Sequence, residues 1–165
     1  MIHHPVRSRR QSGVTLIETL IAILVLSLGM FGMLSMFLNS LKLTSSSNFR
    51  SIAAQQAYAM ADSMRASLPQ LTVYPTAAAS AVSACLTTTG CTSAEIVTTE
   101  IALWQARIAV LLPLGAATIC RDSSPTDGVP GAWDCDGTGQ FVIKLCWDDS
   151  RVPTSTSIEC VRTAI

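Results

Sequence analysis

The chain has 165 residues, 49% of them hydrophobic and only 13% charged, with 11 basic side chains balanced by 11 acidic ones. A formally neutral chain lacks the basic excess that draws proteins to nucleic acid or to anionic membrane surfaces. Its two histidines, His3 and His4, both sit at the extreme N-terminus, and no C-x-x-C pair occurs among its six cysteines, which argues against histidine-based triads and against a zinc site.

The first element is a basic leader followed by an apolar run. Residues 1–13 carry Arg7, Arg9 and Arg10 and no acid, so by the positive-inside rule they stay cytoplasmic while the rest is exported. An ordinary signal peptide places its small-residue cleavage site after the apolar stretch. Here Gly13 comes before it, so cleavage at Gly13 would leave the apolar segment on the mature chain. From Leu20 to Leu38 there is no charge, a run of roughly 28 Å as a helix, enough to span a bilayer. Glu18 lies at the start of this segment, where a carboxylate is costly and calls for a cationic partner.

The junction Arg9-Arg10-Gln11-Ser12-Gly13-Val14-Thr15-Leu16-Ile17-Glu18 resembles the class III signal of type IV pilins and related pseudopilins. The resemblance implies cleavage between Gly13 and Val14 by a prepilin peptidase and N-methylation of the new terminus at Val14. It also implies a role for Glu18 as the assembly carboxylate that meets the terminal amine of a neighbouring subunit. Most major pilins have Phe where this chain has Val14, a departure more common among minor pilins. A plain signal anchor would give Glu18 no purpose.

The helical pattern continues beyond Leu38. Residues 39–68 contain no proline, and Leu38, Leu41, Phe49, Ile52, Ala53, Met60 and Met64 recur at helical spacing until Pro69. One helix from Thr15 to Leu68 would be roughly 80 Å long, with Ser45, Ser46 and Ser47 as its weakest stretch. Gly29 and Gly32 read as glycines tolerated in a membrane helix, and Met30, Met33 and Met36 as soft packing.

Residues 69–165 form an expected globular head. Tyr74 to Cys91 reads as a loop. Thr92-Ser93-Ala94-Glu95 is a capping-box pattern, opening a helix with Ile101, Trp104, Ile108, Leu111 and Leu112 that stops before Pro113. A strand is expected from Ala116 to Arg121, then a long loop from Asp122 to Gly139. Gln140 to Asp148 is the clearest strand, with Phe141, Ile143, Leu145 and Trp147 alternating with Val142, Lys144, Cys146 and Asp148. A last strand, Ile158 to Ala164, follows a turn at Pro153. The six cysteines, Cys85, Cys91, Cys120, Cys135, Cys146 and Cys160, all fall in this head and read as disulfides of an oxidising periplasm. Cys85 with Cys91, closing a threonine-rich loop, is the first choice. Cys120 with Cys135 and Cys146 with Cys160 would continue the same sequential pattern, with other pairings open.

Nothing in the head reads as a catalytic or cofactor site, and no cofactor or metal is expected. There is no P-loop, G-x-S-x-G or G-x-G-x-x-G. Asp148 and Asp149 read as a solvated turn. Asp134-Cys135-Asp136-Gly137 is a fragment of a calcium loop without its later ligands. Trp104 and Trp147 read as core, and Trp133 stands evenly between a partner anchor and a lid on the sheet. After loss of the leader, 8 basic residues face 11 acidic ones, leaving −3. A stripe of Arg107, Arg121, Lys144, Arg151 and Arg162 is the one arrangement that could still serve DNA.

The run Ala53 to Ala66, with its Met60-Ala61-Asp62-Ser63-Met64-Arg65-Ala66, is similar to minor pilins of the PilV type, as are Leu103-Trp104-Gln105-Ala106-Arg107 and Cys146-Trp147-Asp148-Asp149. That resemblance implies an α+β, type IV pilin-like fold: a long N-terminal helix packed on a small antiparallel sheet. Its parts would be a cleaved leader (1–13), a transmembrane and filament-core half-helix (14–38), a head-packing half (39–68) and a periplasmic head (69–165). It further implies an inner-membrane protein, carried into the pilus at the cell surface, that joins other minor pilins to prime polymerisation of the major pilin on the inner-membrane assembly platform. Such a complex supports adhesion or twitching and can present a tip adhesin. Nucleic acid is not an expected partner. A type II secretion pseudopilin is the alternative of the same class, and a signal-anchored periplasmic enzyme or a DNA-uptake pilin the alternatives outside it.

Overall fold

The computed structural model describes residues 13–75, 80–150 and 157–165. The basic leader residues, both histidines, Arg151 and the Pro153 turn lie outside the described residues. Helix α1 spans Leu16–Ala66 and α2 Ser93–Leu111; strands β1, β2 and β3 span Ala116–Asp122, Gln140–Asp148 and Ile158–Ala164. This is the α+β, pilin-like combination of a long N-terminal helix with a small antiparallel sheet. The chain divides into two compact units, with the boundary between Thr44 and Ser45.

In the N-terminal unit no described residue is buried. Its apolar side chains, from Leu16 to Leu43, are half exposed or more. Among the described residues α1 is the one helix long and apolar enough to cross a membrane. Ser45, Ser46 and Ser47 remain helical, so the weak-helix stretch does not break it.

In the C-terminal unit α1 turns Ala53, Ala57, Met60, Ala61 and Met64 into the core, a stripe at helical spacing. The helix ends at Ala66, two residues before the expected Leu68. Pro69 restricts the residue before it, and Leu68–Gln70 closes instead as a short 3-10 turn. At α2 the Thr92 side chain accepts from the Glu95 N–H while the Glu95 carboxylate accepts from the Thr92 N–H, a complete capping box. Helix α2 buries Val97, Ile101, Trp104 and Ile108; Leu111 faces outward, 39% exposed, and Leu112 beyond the helix end is buried. Gly115 makes the tight exit from α2: a Cβ there would lie 2.6 Å from the Ile108 carbonyl oxygen.

The sheet order is β1-β2-β3, antiparallel throughout, with Ile119 opposite Ile143 and Cys146 opposite Cys160. Ala117, Ile119, Ile143, Leu145 and Trp147 join the helical stripes in one core. Strand β2 is buried on both faces from Val142 to Asp148, and over Lys144 the cover is the loop between β1 and β2, through Asp127 and Trp133. Three disulfides join Cys85 to Cys91, Cys120 to Cys135 and Cys146 to Cys160. The first ties a 3-10 turn at Ser83–Leu86 to the start of α2, the second pins the β1–β2 loop to β1, and the third links β2 to β3.

Candidate functional site

Gly13, Val14 and Thr15 precede the helix in non-helical backbone and Leu16 begins it. The Gly13–Val14 bond therefore lies outside the helix. A Cβ at Gly13 would meet nothing within 4 Å. Glu18 stands in the first turn of α1, where its N–H donates to the Thr15 carbonyl at 3.1 Å. Its position suits the positive end of the helix dipole. Its side chain is exposed and has no hydrogen-bond or ion-pair partner among the described residues. An exposed apolar helix with an unpaired carboxylate at its start is suited to burial against something outside the chain. Gly29 and Gly32 likewise meet nothing within 4 Å.

The head places its charges differently from the sequence reading. Lys144 is fully buried rather than part of a basic stripe. Its ammonium pairs with the buried Asp122, meets Asp127 at 2.9 Å and donates to the Trp133 carbonyl at 2.7 Å. Burial works against its charge, but the Asp122 and Asp127 carboxylates outweigh that and hold Lys144 above the ordinary lysine range. The Lys144 contact, with help from the Ser124 N–H, holds Asp122 below the ordinary carboxylate range. Arg121 donates to the Gly139 carbonyl and stacks over the Phe141 ring, while Arg162 donates to the Asp127 and Gly128 carbonyls. Of the five basic residues considered for DNA, only Arg107 is both exposed and without a partner among the described residues.

Asp148 is a second correction. It is buried rather than solvated, and its carboxylate accepts from the Ser150 and Ser157 N–H groups across the β2–β3 connection. Asp149 accepts from the Ser46 hydroxyl of α1 at 2.7 Å. The Asp134–Gly137 segment is irregular loop tied back to β1, with the Gly137 N–H donating to the Arg121 carbonyl at 3.0 Å. Asp136 takes bonds from the Ser123 hydroxyl and N–H and from the Thr138 N–H. These donors, the Ser123 hydroxyl foremost, hold its carboxyl down to about 2. Cys120, Asp122 and Cys135 come close enough to suggest a metal cluster. The disulfide consumes both sulfurs and Lys144 occupies the carboxylate, so no thiolate ligand remains there. Trp104 and Trp147 are core residues, and Trp133 is half-buried, its carbonyl serving Lys144. Sequence reasoning missed the Lys144–Asp122–Asp127 network. A lysine between apolar residues in the central strand, preceded by the aspartates at the end of β1 and in the β1–β2 loop, was its only signal.

The family described as the prokaryotic N-terminal methylation motif matches residues 8–34, which include Gly13, Val14 and Glu18. No curated protein and no solved structure matches the chain. The motif supports a type IV pilin-like prepilin, of the pilin or pseudopilin class, anchored by its N-terminal apolar helix. That motif family is structural rather than catalytic.

Proposed function

We propose that this protein is a minor pilin of the PilV type that takes part in type IV pilus assembly. The observation that carries the reading is the N-terminal arrangement: an exposed non-helical Gly13–Val14 bond, a Glu18 one turn later without a partner among the described residues, and an exposed apolar helix. On this reading a prepilin peptidase cuts after Gly13 and Val14 is N-methylated. The new Val14 amine of one subunit and Glu18 of its neighbour then neutralise each other in the bilayer, where either charge alone is costly. Residues 14–38 form the membrane and filament-core part, 39–68 the head-packing part and 69–165 the periplasmic head. The head joins other minor pilins in a complex that primes the major pilin on the inner-membrane platform and supports adhesion or twitching. The disulfides suit a periplasmic location.

Chromosomal deletion tests this against the pseudopilin alternative, which shares the same N-terminal chemistry. Loss of surface pili and twitching, with exported enzymes still reaching the medium, is the expected result. Normal piliation with enzymes trapped in the periplasm would overturn the pilus reading in favour of secretion.

A further inference from the structure

A groove of about 530 Å³ runs between the second half of α1 and α2. On the α1 wall Ala59 and Ser63, with Ser67 just past the helix end, follow one another at four-residue spacing, a ridge of small side chains that lets another backbone come close. On the α2 wall Ile96 and Leu103 stand seven residues apart, 52% and 45% exposed, and Leu86 at the groove end is 60% exposed. Exposed apolar side chains gathered along one groove mark an interaction site more often than scattered ones do. From Gln56 to Ser67 the groove follows α1 for roughly 16 Å, three turns of helix, the reach of one face with anchors at i, i+4 and i+7.

The charges define the occupant further. The Glu100 carboxylate is already engaged by the Ser63 hydroxyl and by Tyr74. Arg107 closes the other end, exposed and without a hydrogen bond or ion pair among the described residues. An unpaired guanidinium at the end of an apolar groove selects a carboxylate. A second copy of this chain offers no free helical acid from its head. Asp62 is paired with Arg65, Glu95 is held in the capping box, and Glu100 is bonded as above. We propose that the groove receives a helix of a different subunit, bearing apolar anchors and an acid that meets Arg107. The proposal rests on the assembly role above and names the surface through which the head would recognise a partner.

The test places a photo-crosslinking benzoylphenylalanine at Leu103 or at Ile96 in the full-length chain, in its own cells, and sequences the cross-linked peptides. The expected result is one partner chain joined from both positions, at residues three, four or seven apart, with Asp or Glu within a turn. Arg107→Glu should lower the yield about tenfold, and reversing the partner's acid to Arg should restore it. Cross-links to a second copy, to lipid or to nothing would overturn the proposal, as would a yield indifferent to Arg107→Glu. Mass spectrometry of the Val14 terminus in the same samples separates the two claims. Cross-links lost with processing intact overturn the groove alone, whereas absent processing overturns the assembly reading.

Discussion

At the scale of single residues, two charges have opposite settings. Glu18 has no partner among the described residues, whereas Lys144 is enclosed by three oxygens of its own chain. Glu18→Ala should therefore leave processing and membrane insertion intact but lower recovery in sheared pili about tenfold or more, since only the assembled state gains from the charge pair. Immunoblots of membrane and sheared fractions would show it, and equal recovery would contradict it. Lys144→Met strands the buried Asp122 charge and should lower Tm by roughly 10 °C or more; adding Asp122→Leu should return part of the loss. The aspartates also set the acid response. Asp136, held to about 2, and Asp122 and Asp148, held below their ordinary range, have folded values below their unfolded ones. Their stabilisation is complete above the unfolded value near 3.9 and is lost as pH falls through the folded values. Tm should therefore drop between about pH 4 and pH 2, and Asp136→Asn should flatten that drop. Lys144 acts at the other end: its raised value keeps its contribution below the ordinary lysine range and loses it only in strong alkali.

At the scale of elements, the covalent and capping devices hold a small head together. The Cys120–Cys135 bridge closes a loop of sequence separation 15. The double variant Cys120→Ser, Cys135→Ser should cost about 3 kcal/mol, read by urea unfolding of the detergent-solubilised protein. A loss near zero would mean that the Lys144 network alone holds the loop. The same elements show what could be read in advance. Helix α2 was legible from Thr92 and Glu95, and β2 and β3 from their bounding loops, because caps, alternation and turn residues are local signals. Two features were not. The end of α1 depends on how Leu68 accommodates the following Pro69, a matter of one or two residues. The burial of both β2 faces depends in part on a loop folding back over Lys144, a tertiary event that alternation cannot record. The solvated reading of Asp148 failed for a similar reason: Ser150 is a local donor two residues on, but Ser157 is nine residues away in sequence and meets Asp148 only in the fold.

At the scale of the whole molecule, the two units divide the work between them. Among its described residues the N-terminal unit buries nothing, and it carries the residues of the methylation motif. The C-terminal unit has the core, the sheet, the disulfides and the α1–α2 groove. The methylation motif and the apolar helix were legible because a glycine, an apolar run and an acid within it are local sequence signals. The groove was not, since it forms where the small residues of α1 face the outer side of α2. The most direct test is mass spectrometry of the mature N-terminal peptide from membranes, in cells with and without the prepilin peptidase. The account predicts a chain beginning at N-methylated Val14 that disappears when the peptidase is removed. A chain beginning at Met1, or cut after the apolar run, in peptidase-containing cells would contradict it.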